Sequence, residues 1–259
     1  MADFEFTVKD GIGTIRLNRP HRKNAFTLDM LDQWAEALRS ARTNPDVRVV
    51  LVTGTGDSFC AGVDLDDFAE ITTTLARQEV LQNRVHRIAS AALDLDKPLI
   101  AAVDGVAVGA GMDMALACDI RLISTRARFS EGYVRVGLIP GDGGAHLLPR
   151  IVGQARALEL LWTGRFVEAD EALSLGLALS VHEPEDLAAA AGELCRRLAE
   201  GPPVAIRAIK RLVRNGERVD FATSLSMVAA EQAVVQSTRD SAEAITAFRE
   251  KRLPQFVGY

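Results

Sequence analysis

Aromatic residues make up only 5% of the 259 positions, so any core must be filled chiefly by Ala, Leu and Val. The three cysteines, Cys60, Cys118 and Cys195, are odd in number and lack the paired spacing of a metal knuckle. That pattern excludes a disulfide framework and points to small buried thiols in a reducing compartment. His21, His86, His146 and His182 form no metal set by spacing, so no metal is expected. No uncharged apolar run reaches the roughly 20 residues that cross a bilayer, which argues against a membrane protein. The chain opens directly on an alternating pattern, Phe4 to Val8, without a basic and apolar leader, and the expected address is cytoplasmic. P-loop, Gly-x-Ser-x-Gly elbow, low-complexity tract and clear repeat are all missing. The formal charge of -5 sets the molecule against nonspecific nucleic-acid binding.

What is present is a chain that is 48% hydrophobic and long enough for one large domain or two small ones. Phe4 to Val8 and Gly13 to Leu17 alternate around Lys9-Asp10-Gly11 and predict a hairpin. Thr27 caps a predicted helix reaching Arg42, with Leu28, Leu31, Trp34, Ala35 and Leu38 along one stripe. Val47 to Thr53 is a valine-rich strand suited to burial on both faces. A long helix is predicted from Thr73 to Leu95, then strands at Pro98 to Val103 and Ile120 to Ser124. The stretch from Ala127 to Tyr133 reads as a loop. Two helices separated at Gly164 follow between 154 and 175, and a last strand at Leu177 to Val181. From Glu185 to Arg249 the pattern is helical, broken at Gly201-Pro202-Pro203 and Asn215-Gly216. The whole implies an α/β core over 1–200 and a helical layer over 201–259.

The stretch from Val103 to Met114 organises the rest. A strand enters a bend of small residues, Gly109-Ala110-Gly111, and becomes a helix at Met112 to Cys118. The first amides of a helix lack intrahelical partners and carry its positive dipole end. Such a place suits a carbonyl oxygen that gathers negative charge. Asp113 lies one turn beyond Ala110 on the same face, so an amide donor and a carboxylate face one spot.

Six segments in order carry a resemblance: Asn18-Arg19-Pro20, Phe59 to Leu65, the Gly109 segment, Cys118-Asp119-Ile120-Arg121, Gly137 to Pro140 with Gly143-Gly144, and Phe248 to Arg252. Together they resemble the crotonase superfamily, the enoyl-CoA hydratase/isomerase family, over nearly the whole chain. The resemblance implies a crotonase-like spiral of ββα units with a C-terminal helical oligomerisation region, giving a homotrimer or a dimer of trimers. It implies an acyl-CoA thioester as substrate, with coenzyme A entering as part of that substrate and no separate cofactor. The backbone N–H groups of Val63 and Ala110 take the family's oxyanion positions, Ala110 replacing the usual glycine while keeping its amide. CoA contacts carry over to Ala61, Asp64, Leu65 and Asp66. Lys23, beside Arg22 in a basic loop, faces the phosphates unless it is an ordinary solvated residue. Phe248 and Lys251 reach a neighbouring subunit's site.

Two positioned amides stabilise a thioester enolate, and losing one such donor typically costs ~3 kcal/mol. Family hydratases also hold a water between two glutamates. Asp113 stands at the first of these positions and Tyr133 at the second, by register from Phe129 to Gly137. Tyrosine, with an ordinary pKa of ~10, is a poor base and reads as a wall of the acyl pocket. Asp142 is an alternative acid, with helix capping as its plainer reading, and Glu131 is another. Asp113 also fits as a plain first-turn acid, although its alignment favours catalysis. The leading reading is hydration of a 2-enoyl-CoA, with double-bond isomerisation by one carboxylate next. Thioester hydrolysis or decarboxylation follows, and a catalytically weak CoA-binding assembly protein is the alternative of another class.

Overall fold

The computed structural model describes residues 2–69 and 71–259. The alternating N-terminal pattern forms the hairpin of β1 (Phe4–Lys9) and β2 (Ile12–Leu17), with Ile15 and Leu17 turned fully inward. The Thr27 hydroxyl accepts the Met30 N–H and starts α1 (Leu28–Thr43), whose Leu31, Trp34, Ala35 and Leu38 are buried as the stripe predicts.

From here the chain alternates between two sheets. β3 (Val49–Gly54) lies in the larger and β4 (Ser58–Cys60) in the smaller. A helical run follows: α2 (Leu65–Ala69), α3 (Thr74–Val80), a π turn at Leu81–Val85 and α4 (His86–Asp94). β5 (Leu99–Val103) returns to the larger sheet, β6 (Val106–Val108) to the smaller, and α5 (Ala110–Leu116) closes the second unit. β7 (Ile120–Ser124) and β8 (Arg128–Ser130) repeat the step, followed by a 3-10 turn at Gly132–Val136, α6 (Gly144–Val152) and α7 (Gln154–Thr163). This is the expected spiral of ββα units. β9 (Val167–Glu168), α8 (Ala169–Ser174) and β10 (Ser180–His182) complete the sheets, whose orders are β1-β2-β3-β5-β7-β10 and β4-β6-β8-β9.

α9 (Pro184–Ala199) covers the outer face of the larger sheet, laying Leu187, Ala191, Cys195 and Ala199 on Val49, Ile100, Ala102 and Leu122. β3 and β5 are therefore buried on both faces, as their unbroken apolar runs require. α10 (Pro203–Gly216) is tied to the core by ion pairs from Arg207 to Asp96 and from Lys210 and Arg214 to Asp119. α11 (Phe221–Gln236) and α12 (Arg239–Glu250) follow, and the C-terminal tail returns to the core where Arg48 donates to the Phe256 carbonyl.

Several boundaries differ from the sequence reading. The helix predicted over 73–95 is interrupted by the π turn, a wider ring that no apolar period reveals. The Gly- and Ala-rich bend contains strand β6, and the helix after it opens at Ala110 rather than Met112. The loop predicted over 127–133 contains β8, paired with β6 and β9. The strand predicted from Leu177 begins only at Ser180, because the Leu177 carbonyl is taken by the Arg121 side chain instead of a neighbouring strand. The helical tail breaks once more than expected, at Ser237-Thr238, where Thr238 caps α12 by accepting the Ser241 N–H.

Candidate active site

Two segments place the backbone amides. Gly109 has φ +52°, rarely adopted by L residues, and its N–H donates to the Ser130 carbonyl at 2.8 Å. This sharp turn aims the first turn of α5 away from β6, leaving the Ala110 N–H outside the helix's own ladder. Opposite, Phe26 donates to the Gly62 carbonyl and accepts from Asp64 N–H, both at 2.9 Å. That parallel bridge brackets Val63 and turns its own N–H away from Phe26. The two segments touch: a Cβ placed on Gly62 would lie 3.6 Å from the Ala110 nitrogen. The structure thus brings the predicted pair, Val63 and Ala110, to one place.

Asp113 follows one turn later, fully buried in α5 with its N–H bonded to the Gly109 carbonyl. Tyr133, on the 3-10 turn after β8, sends its hydroxyl to Asp113 Oδ2 at 2.7 Å and to Asp142 Oδ2 at 2.8 Å. Tyr133 is thus a hydrogen-bonded member of an acid cluster. The plainer reading of Asp142 is corrected here. Asp142 does not cap α6, whose N-cap is Gly143 without a side-chain bond; its carboxyl turns back to Tyr133.

A phenol has one proton. Lying between two carboxyl oxygens, Tyr133 donates to one and accepts from the other, which must itself be protonated. Asp113 Oδ2 also accepts the Asp142 N–H at 3.2 Å, so two donors converge on it, the environment of an ionised carboxylate. The Asp113–Asp142 pair therefore shares an acid proton through the Tyr133 hydroxyl. Burial, reinforced by the Asp142 charge, pushes the Asp113 carboxyl above the ordinary carboxylate range, while the Tyr133 hydroxyl acts the other way. Burial likewise raises Asp142, opposed by Tyr133 and by the nearby His86. Burial and both aspartates raise the Tyr133 phenol, which keeps its proton at neutral pH. The result is a hydrogen-bonded relay, Asp142–Tyr133–Asp113, whose two carboxyls and one phenol lie within proton-transfer distance of their neighbours.

His86 enters because the π turn ends at it, and its Nε2 lies 2.8 Å from the Gly141 carbonyl, bracing the loop that carries Asp142. Sequence reading assigned His86 nothing. Only a three-dimensional contact between α4 and the 137–143 loop joins them.

The predicted CoA residues divide in two groups. Lys23, Ala61, Asp64, Leu65 and Asp66 gather on one rim next to Val63. There the Ala61 N–H donates to the Lys23 carbonyl, Asp64 is paired with Arg19 at 2.8 Å, and Asp66 with Arg22 at 2.6 Å. Arg22 and Lys23 are exposed, Lys23 standing 3.9 Å from Asp57. Phe248 and Lys251 sit at the end of α12, Phe248 with 86% of its surface exposed, and neither makes a polar side-chain contact with the acid cluster. A single chain does not bring this pair to Asp113. Among the described residues no group of His, Cys, Asp and Glu is arranged to hold a metal ion.

The sequence matches the profile of the enoyl-CoA hydratase/isomerase family over residues 7–258. It is 36% identical to the short-chain-enoyl-CoA hydratase of Clostridium acetobutylicum, over 94% of each chain. It is 37% identical to the 1,2-epoxyphenylacetyl-CoA isomerase of Escherichia coli, over 97% of each. The fold superimposes on the crystal structure of an enoyl-CoA hydratase from Bacillus anthracis with a TM-score of 0.95, at 33% identity and with both chains fully covered.

Proposed function

Because the chain belongs to the enoyl-CoA hydratase/isomerase family, we propose that its acid cluster works on the acyl group of a CoA thioester and adds water to a 2-enoyl chain. One observation carries this reading: the Tyr133 hydroxyl joins the Asp113 and Asp142 carboxyls, so two acidic groups are present despite the missing second glutamate. Hydration needs a base for water and an acid for C2. Asp113 accepts a proton from water as its oxygen bonds to C3, and the electron pair moves onto the thioester oxygen. The Val63 and Ala110 amides hold that enolate charge. Collapse of the enolate takes a proton at C2 from the acid end of the cluster, leaving a 3-hydroxyacyl-CoA.

One observation favours a second reading. The Tyr133 oxygen occupies the space between the two aspartates, where a water held by both would lie. Isomerisation needs no water: Asp113 removes a proton from C2 of a 3-enoyl chain and returns it at C4. Coenzyme A enters either reaction as part of the substrate, and no separate cofactor is invoked. Its phosphates would meet Arg22 and Lys23, and its adenine the backbone from Ala61 to Asp66. The exposed apolar side chains of Ile209, Val213, Phe221, Leu225 and Phe248 suit burial between copies in a trimer or dimer of trimers, which would also bring Phe248 and Lys251 to a neighbour's site. None of the described helices is long and apolar enough to cross a membrane, in keeping with a cytoplasmic place, and the acidic balance favours no nucleic-acid partner.

Mass spectrometry of products from a panel of 2-enoyl-CoA and 3-enoyl-CoA thioesters tests the proposal. Gain of one water from a 2-enoyl thioester is expected. Unchanged mass with a shifted double bond as the sole reaction would replace hydration by isomerisation, and no turnover on any member would overturn both.

A further inference from the structure

Behind the relay lies a third carboxyl that the reaction above does not use. Glu131 is 1% exposed, and neither of its side-chain oxygens has a hydrogen-bond partner; Asp113 Oδ1 is equally buried and unpartnered. The three oxygens converge on the point where a side chain on Gly144 would begin. A Cβ there would lie 2.1 Å from Asp113 Oδ1 and 2.7 and 3.0 Å from the two Glu131 oxygens. Two ionised carboxylates facing each other in a dry pocket would repel and leave Asp113 Oδ1 and both Glu131 oxygens without a donor. One proton placed between them answers both: a Glu131 acid donates O–H, and Asp113 Oδ1 accepts it.

We infer that Glu131 is a positioning residue, a protonated acid whose O–H grips Asp113 Oδ1 and keeps the base in its ionised form and in place. The inference rests on the reading of Asp113 as the base. The physical chemistry supports the placement of the proton. Burial first, then the charge of Asp113, raises the Glu131 carboxyl far above the ordinary range, whereas the bond to Glu131 works to lower Asp113. The charged or titratable groups facing this pair are few: Tyr133 from the 3-10 turn, Asp142 from the loop before α6, His86 beyond it through Gly141, and the buried Cys60 thiol on β4. Among these only Glu131 has both oxygens unpartnered.

The arrangement separates a donor from a mere filler. In Glu131→Gln the amide N–H still donates to Oδ1, while in Glu131→Leu nothing does. Removing the donor raises the Asp113 pKa, so the acid limb of the kcat/KM profile, which reports the free base, should move upward by about one pH unit in Glu131→Leu, a tenfold loss on the acid side. Glu131→Gln should keep the parental acid limb. Infrared difference spectra at neutral pH need no turnover: beside the stretch of the acid proton held by the Asp113–Asp142 pair, the parent should show a second protonated-carboxyl C=O stretch, that of Glu131, which vanishes in Glu131→Gln. Loss of that band with separated pH profiles supports the assignment. If no band is lost in Glu131→Gln, Glu131 is ionised and the assignment is overturned, as it is by Leu and Gln variants with the same acid limb. If Glu131→Leu does not fold, the infrared band decides alone. If no substrate is turned over, the function fails while the band still tests the proton.

Discussion

Asp113 Oδ1 stands 2.1 Å from the point where a side chain on Gly144 would begin. The first residue of α6 is therefore a glycine because the carboxyl of α5 occupies its Cβ position. Neither element could approach the other otherwise, and the relay depends on that approach.

Gly144→Ala should for this reason be far more harmful to activity than to folding. The methyl has to displace Asp113 Oδ1, and misplacement by about 1 Å can cost 100-fold in rate. We expect a fall of roughly that size in kcat, with far-ultraviolet circular dichroism unchanged. An alanine variant with parental kcat would mean that the carboxyl position is unimportant.

The relay predicts an order among three variants. Asp113→Asn removes the base and should cost about 100- to 10,000-fold in kcat. Asp142→Asn removes the acid end yet keeps a group able to meet Tyr133, and a smaller loss is expected. Tyr133→Phe breaks the link between two aspartates that would then face each other unscreened, so its loss should resemble that of Asp142→Asn rather than a wall substitution. Steady-state turnover on the best thioester gives the comparison, and near-parental activity of Tyr133→Phe would show that the phenol only shapes the pocket.

Stability should fall as pH rises. Burial lifts Asp113 from 3.8 to about 7 and Glu131 from 4.5 to about 10. Both folded pKa values lie above the unfolded ones, so the folded chain holds more protons within those windows and loses stability with rising pH. Asp113 contributes between about pH 4 and 7, and Glu131 continues the fall toward 10. Glu131→Gln removes an acid that resists ionisation and should melt above the parent at pH 8, by about 2–4 °C for each kcal/mol gained. At pH 4.5 the gap should shrink. A gap that widens toward acid reverses the sign and refutes the buried-acid description.

How much of this was visible in the chain depends on whether a feature is local. Thr27 capping α1 and the apolar stripe behind it were legible, because caps and stripes repeat on a known period. So was the meeting of Ala110 with Asp113, since one helical turn fixes their shared face. Asp142 was not, because side-chain direction in a glycine-rich loop follows from what the loop packs on, and here His86 on another element braces it. Glu131 was visible as an acid without a direction. β6 and β8, three residues each, are too short for a period to show and exist through pairing with one another. α11 offered apolar residues without a stripe, and none of its side chains is buried within the single chain.

The burial of Asp113 and Asp142 also gives the site an isotopic side. In the isomerisation reading, a deuteron lifted from C2 lands among a few buried carboxyl and phenol oxygens. Its loss to solvent waits for the cluster to open, whereas return to carbon needs only the next step of the reaction. A label taken from C2 would reappear at C4 in many turnovers, and the cluster would hold a brief memory of the atom it had just deprotonated.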